Sequence, residues 1–172
     1  AASDANRKQF AADCVAFMEK WNLDGIDLDW EMPGISWSGA ACDPMNDTEN
    51  FTLLVKQMRE TFGSKYLITL AGYVKDKKRQ DSGTGWKYFD LKAIKPYIDW
   101  VNIMTYDLDD ATGGHRGFNS AIKSSTSYWD IERTIAEYNN AGYDQSQMVL
   151  GIPFYVRHSF ETSPSVIDYK DF

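Results

Sequence analysis

The chain has 172 residues, 43% of them hydrophobic and 25% charged, so it carries enough apolar material for a core and is not disordered by composition. Its net charge of -7 argues against nucleic acid as a partner, because phosphates would be repelled. No run approaches the ~20 apolar residues that cross a bilayer, and we expect no membrane span. No basic-then-apolar leader is visible, so a secretion signal is expected to be absent or already removed.

Apolar spacing and turn residues predict helices that alternate with strands. The first four predicted elements are a helix over Asp4–Trp21, a strand over Ile26–Trp30, a helix capped by Asp47 and closed by Gly63, and a strand over Tyr66–Ala71. The last four are a short helix over Asp90–Lys95, a strand over Trp100–Tyr106, a helix that Gly142 ends, and a strand over Met148–Ile152. This alternation is typical of parallel βαβ units and predicts an α/β fold. Four such strands fit either a small doubly wound sheet or half of an eight-stranded barrel.

Aromatic residues make up 15% of the chain and serve either as core or as platforms for sugar rings. We expect Trp21, Trp30 and Trp100 in the core, because they belong to apolar patterns. Trp37, Trp86 and Trp129 lie in or beside predicted loops and could be sugar platforms; Trp37 is the preferred candidate because it follows Glu31 closely. The two cysteines are too few for a disulfide scaffold and match no zinc spacing.

One predicted strand carries an acidic residue at every second position. Asp27, Asp29 and Glu31 share one face, with neighbours about 6–7 Å apart. Carboxylates crowded in this way repel, so at least one is expected to hold a proton near neutral pH. The arrangement suits either an acid with a raised pKa or a metal site. Acid catalysis is favoured over magnesium-dependent phosphoryl transfer, because that site needs a supporting Thr, Ser or Lys nearby and the neighbours are Trp30, Met32 and Pro33.

At this point the sequence resembles glycoside hydrolase family 18. Residues 24–31, DGIDLDWE, fit the D-x-x-D-x-D-x-E signature of that family, in which chitinases, endo-β-N-acetylglucosaminidases and non-catalytic lectins occur. Residues 104–107, MTYD, resemble the end of the sixth strand of the family's (β/α)8 TIM barrel. Residues 151–157, GIPFYVR, resemble its seventh strand. The likeness runs from about residue 7 to residue 157 and implies barrel strands four to seven, with residues 158–172 an unassigned tail.

The resemblance implies a role for each residue that matches a motif. Glu31 would protonate the glycosidic oxygen, Asp29 would polarise the acetamido group whose oxygen attacks the anomeric carbon, and Asp27 would share a proton with Asp29. Tyr106 would donate its hydroxyl to the acetamido oxygen. The remaining roles are sugar binding and support of the motif; the sugar-binding residues would be Asp107, Tyr155, Arg157 and Trp37, and the supporting ones Asp24 and Gly25.

The resemblance also implies what the protein acts on. The expected substrate is an oligo- or polysaccharide of β-1,4-linked N-acetylglucosamine, cleaved without a metal or other cofactor, in a secreted, periplasmic or cell-surface protein. A sugar-binding relative without activity and an endo-β-N-acetylglucosaminidase stay open as alternatives. Because a complete barrel needs about 200–250 residues, we expect a partial catalytic barrel and little activity from this chain alone.

Overall fold

The computed structural model of the chain describes residues 1–36, 39, 41–75, 78–79, 86–108, 117–125, 129–157, 166–168 and 170. The helices are α1 (Asp4–Trp21), α2 (Asp47–Phe62), α3 (Leu91–Ile94) and α4 (Ile131–Asn140). The strands are β1 (Gly25–Leu28), β2 (Leu67–Gly72), β3 (Lys78–Arg79), β4 (Trp86–Lys87), β5 (Trp100–Ile103), β6 (Met148–Leu150), β7 (Tyr155–Arg157) and β8 (Val166–Asp168).

The central sheet joins β1, β2, β5 and β6, side by side in that order and all parallel. A doubly wound sheet reverses its strand order at a switch point, whereas a (β/α)8 barrel keeps its strands in chain order. The observed order therefore decides between the two folds that periodicity left open, in favour of part of a barrel. The short strands form two separate antiparallel pairs, β3 with β4 and β7 with β8.

Helix ends follow the predicted positions closely, with one correction. Ser3 caps α1 by accepting a hydrogen bond from the Asn6 amide, and Asn22 ends the helix in the left-handed conformation. In α2 the cap position belongs to Asn46, and Asp47 is the first helical residue. The buried Asp47 carboxylate instead accepts hydrogen bonds from the amides of Gly34 and Asp43. These bonds hold the loop after β1 against the start of α2.

The strands present one apolar and one polar face. Ile68 and Leu70 on β2, and Val101 and Ile103 on β5, are fully buried in the core that the strands share with the helices. The other face carries the polar side chains of Thr69 on β2 and Asn102 on β5. Polar side chains on that face need hydrogen-bonding partners, such as water or a ligand. We therefore expect the functional site on the face of the sheet that is turned away from the helices.

Several predicted strands are shorter in the structure. β1 ends at Leu28, β5 at Ile103 and β6 at Leu150, so the motif residues beyond these points lie in the connections that leave the strands. The charged stretch after β2 contains the short strand β3, and β4 follows it. These strand ends place the acidic residues and the tyrosine of the motifs at the carboxyl edge of the sheet.

Two predicted core elements are partly exposed. Along α1, Cys14 and Met18 are buried, but Trp21, which we expected in the core, is 59% exposed. On the edge strand β6, Val149 and Leu150 are also exposed. Trp21 is the last residue of α1, and β6 is an outer strand of the described sheet that lacks a neighbour on one side. Within the described residues, no helix is long and apolar enough to cross a membrane.

Candidate active site

Three carboxylates lie at the carboxyl edge of β1. Asp27 is in the strand, and Asp29 and Glu31 follow it directly; all three are exposed, while Leu28 between them is buried. The predicted alternation is therefore present, although the strand itself stops before Asp29. The polar face carries these groups because every apolar neighbour is turned toward the helices.

Glu31 has the electrostatic setting of a proton donor. Although Glu31 is exposed as a residue, the protein around its carboxyl displaces part of the hydrating water, and this desolvation raises its pKa. The charge of Asp29, hydrogen bonding between the two carboxyls and the charge of Asp107 raise that pKa further. Each cause favours the protonated form of Glu31, because a negative charge is less stable both away from water and beside other negative charges. A carboxylic acid of this kind can give a proton to a leaving group near neutral pH.

Tyr106 brings a hydroxyl group into the same field. It follows β5, and burial, then the charges of Glu31, Asp29 and Asp107, raise its pKa, so its hydroxyl keeps its proton and acts as a hydrogen-bond donor. Gly151 after β6 sets its position, since a Cβ at residue 151 would lie 2.7 Å from Cε1 of Tyr106. Gly151, in the motif of residues 151–157, thus makes room for Tyr106, in the motif of residues 104–107.

Asp107 is the centre of a polar cluster beside Tyr106. Arg157 donates to both of its carboxylate oxygens, with Nη2 2.6 Å from Oδ2, and the Tyr155 hydroxyl donates to Oδ1 at 2.7 Å. Asp107 has a φ of 55°, and its amide donates to Asn119 Oδ1 at 2.8 Å. Burial, the hydrogen bond to Asp107 and its charge raise the pKa of Tyr155 to about 12.

These contacts join the motif of residues 104–107 to the motif of residues 151–157. The contribution of Asn119 was not predicted, because a lone asparagine in a polar loop has no distinguishing signal in the sequence.

A second set of contacts lies below the carboxylates. Asp27 Oδ1 accepts hydrogen bonds from Thr69 Oγ1 on β2 and, at 3.0 Å, from Asn102 Nδ2 on β5. Asn102 Oδ1 in turn accepts from Trp100 Nε1 at 3.1 Å. Sequence reasoning missed these residues and assigned Trp100 to the core. The available signal was the polar residue at alternate positions of two otherwise apolar strands, which places them on the face that carries Asp27.

Some of the remaining predicted residues stabilise the fold near the site, and others lie outside the described residues. At Gly25 a Cβ would overlap the Leu67 carbonyl, so the close parallel pairing of β1 and β2 requires glycine there. Leu67 also donates its amide to the Asp24 carbonyl at 2.9 Å. Trp129 packs in the structure, with Nε1 donating to the Val74 carbonyl at 3.0 Å. Trp37 and the side chain of Trp86 lie outside the described residues.

The arrangement can therefore do acid–base chemistry on a polar ligand that lies across the sheet edge. It offers a carboxyl group with a raised pKa on Glu31, the neighbouring carboxyl group of Asp29 and the hydroxyl donor of Tyr106. Among the described residues, no three His, Cys, Asp or Glu side chains are grouped in a way that could hold a metal ion.

Comparison of the whole sequence with known proteins identifies the family of this chain. The family model of the glycosyl hydrolases family 18 matches residues 1–170. Chitinase A1 of Niallia circulans is 31% identical over 91% of this chain, which corresponds to 24% of its own length. The class V chitinase CHIT5 of Lotus japonicus is 28% identical over 91% of the chain and 39% of its own length.

A solved structure shows the same backbone. The chitinase domain of the spore coat protein CotE from Clostridium difficile superposes with a TM-score of 0.82 at 29% identity, over 99% of this chain and 48% of that one. The chain thus spans less than half the length of these relatives. Its parallel strands in chain order, its acidic β1 motif and the family match agree: the chain belongs to the glycosyl hydrolases family 18, and its sheet is part of that family's (β/α)8 barrel.

Proposed function

We propose that the protein containing this chain hydrolyses β-1,4 bonds between N-acetylglucosamine units with retention of configuration. The observation that carries this proposal is Glu31, a carboxyl with a raised pKa at the end of β1, in the electrostatic field of Asp29 and Asp107 and near the Tyr106 hydroxyl. Chemistry in barrel enzymes takes place at this end of the strands. The names of the relatives, which are chitinases, favour the same substrate class.

The first step requires a proton for the leaving group. Glu31 gives its proton to the glycosidic oxygen while the bond from that oxygen to the anomeric carbon breaks. The carbonyl oxygen of the sugar's own acetamido group forms the new bond to that carbon, so no protein nucleophile is needed. Glu31, now ionised, takes a proton from water, and the water oxygen attacks the same carbon to open the ring that the acetamido group formed.

Asp29 and Tyr106 serve the acetamido group in this scheme. The Asp29 carboxylate holds the amide N–H and balances the positive charge that develops on the group, while the Tyr106 hydroxyl donates to the carbonyl oxygen and fixes its approach. The pKa of Tyr106 is raised, which keeps that proton in place at working pH. Asp107, fixed by Arg157 and Tyr155, lies beside them and is available to sugar hydroxyls.

The proposed substrate is a polymer outside the cell, and we infer a secreted or cell-surface location for the protein. Two similar proteins favour this inference: CotE belongs to the spore coat, and chitinase ChiW from Paenibacillus is expressed on the cell surface. An acidic chain with an aromatic content of 15% suits neutral sugar rings better than polyanions.

The test is Glu31→Gln in the full-length protein, with a chitin oligosaccharide as substrate. We expect turnover to fall by a factor of roughly 100 or more, since general acid catalysis contributes about that much, while the oligosaccharide still binds in calorimetry. Glu60→Gln is the matched control, because Glu60 is an exposed glutamate on the outer helix α2. Proton NMR of the first product should show the β-anomer.

Three results would contradict the proposal in different ways. Normal turnover by Glu31→Gln would remove Glu31 as the acid. Binding of the oligosaccharide by the wild type with no cleavage would indicate a lectin, and cleavage of an N-glycan core in place of chitin oligosaccharides would indicate an endo-β-N-acetylglucosaminidase.

A further inference from the structure

A line of hydrogen bonds crosses three strands beneath the candidate site. It runs from Trp100 and Asn102 on β5 to Asp27 on β1, and Thr69 on β2 joins it from between. Parallel pairing sets Asp27 opposite Thr69 and Thr69 opposite Trp100, so the side chains lie on one face of the sheet. Leu28, Leu70 and their apolar neighbours occupy the other face.

The amide group of Asn102 is used at both ends. Its oxygen accepts from the indole N–H of Trp100 at 3.1 Å, and its nitrogen donates to Asp27 Oδ1 at 3.0 Å. The indole N–H can only donate, so it orients the amide with its nitrogen toward the carboxylate. Reversing the amide would place one oxygen against another and bring the nitrogen against a donor. The orientation of Asn102 is therefore determined by Trp100.

Both donors to Asp27 converge on a single oxygen. Thr69 Oγ1 and Asn102 Nδ2 each donate to Oδ1. Hydrogen bonds to an ionised oxygen are stronger than neutral ones and fix its direction. With Oδ1 held in this way, the second oxygen is the one left to exchange a proton with a neighbouring carboxyl.

We propose that Asn102, oriented by Trp100, is a positioning residue that acts with Thr69 to hold Oδ1 of Asp27, so that Oδ2 shares the proton of Asp29 during the reaction. This inference rests on the proposed function. It assigns a support role that acts through Asp27 to Trp100, Asn102 and Thr69, and it explains why β2 and β5 carry polar residues at positions 69 and 102, on the face that carries Asp27.

The experiment uses the full-length protein and substitutions at three positions, Asn102, Thr69 and Trp100. Asn102→Asp keeps the acceptor for Trp100 but turns a carboxylate toward Asp27. Thr69→Val removes the hydroxyl, and Thr69→Ser retains it. Trp100→Phe removes the indole N–H, with Trp21→Phe as its matched control on the exposed face of α1.

We expect Asn102→Asp to lower kcat on a chitin oligosaccharide by roughly 10- to 100-fold, the loss that one hydrogen bond to a charged group implies, with KM changed less than about threefold. Thr69→Ser should retain kcat where Thr69→Val loses it, and Trp100→Phe should lower kcat where Trp21→Phe does not. A kcat for Asn102→Asp within about twofold of wild type would overturn the inference, as would equal effects of the two tryptophan substitutions.

A double variant that exchanges the side chains of residues 27 and 102 distinguishes the effect of their hydrogen bond on stability from its effect on catalysis. In the double variant with Asp27→Asn and Asn102→Asp, donor and acceptor are swapped, so the thermal unfolding midpoint lost in Asn102→Asp should recover while kcat does not. A midpoint that stays low would contradict the contact itself. If the wild type cleaves no N-acetylglucosamine polymer, the proposed function fails and this role fails with it; a cleaving wild type with an unaffected Asn102→Asp refutes this inference alone.

Discussion

Substituting Gly151 by alanine tests whether the third motif sets the position of Tyr106. A Cβ at residue 151 would lie 2.7 Å from Tyr106 Cε1, 3.2 Å from Cδ1 and 3.0 Å from the carbonyl oxygen of Ile103. Carbon atoms in contact prefer about 3.5–4.0 Å, so the tyrosine ring must move by roughly 1 Å. The Ile103 carbonyl has little freedom, because it accepts the Gly151 amide at 2.8 Å.

The displacement predicts losses of both activity and stability. A misplacement of ~1 Å at a reacting group costs on the order of 100-fold in rate, and overpacking costs about 1–3 kcal/mol in the free energy of unfolding. We expect Gly151→Ala in the full-length protein to lose kcat to that extent, measured on a chitin oligosaccharide. Gly63→Ala is the control, because its φ of 58° strains alanine while no atom lies within 4 Å of the new Cβ.

A double variant decides whether the loss passes through Tyr106. In the background of Tyr106→Phe the hydroxyl is already gone, so adding Gly151→Ala should lower kcat by much less than in the wild type. The reasoning is refuted if Gly151→Ala keeps kcat within about twofold of wild type, or if the loss is equally large in both backgrounds.

Three further predictions rest on other contacts. The folded-state pKa of Glu31 lies above its ordinary value, so ionisation of Glu31 destabilises the fold as pH rises. Glu31→Gln should therefore raise the unfolding midpoint above that of the wild type by more at pH 7 than at pH 4. An equal difference at the two pH values would count against this reasoning. Asp107→Asn removes a charge that raises the same pKa, so the alkaline limb of kcat/KM should move to lower pH, and movement to higher pH would contradict this. Tyr138 is fully buried and its hydroxyl donates to the Tyr73 carbonyl at 2.7 Å, so Tyr138→Phe should cost about 1–2 kcal/mol in chemical denaturation; a loss below ~0.3 kcal/mol would argue against that bond.

Much of the local structure follows from the sequence because its signals are local. The helix Asp4–Trp21 was predicted with its observed bounds, since its apolar stripe and the Asn-Leu-Asp-Gly break that follows lie within one segment. Strand lengths were less accurate, because β5 and β6 end where pairing with a neighbour ends, and pairing depends on residues distant in the chain. The exposure of Trp21 has the same origin, since a helical stripe is buried only where a neighbouring element covers it.

The sequence by itself determined the acidic alternation of residues 27, 29 and 31, the tyrosine of residue 106 and the alternation of helix with strand, because residue type and spacing along one strand settle these features. Tertiary structure alone decided the order of the strands, and this order confirms the barrel that the family motifs implied and that periodicity left open. It also brought Asn102 and Thr69 beneath Asp27 and set Gly151 against Tyr106. These contacts join residues 42 to 75 positions apart in the first case and 45 in the second, and no periodicity within one segment reports which strands become neighbours.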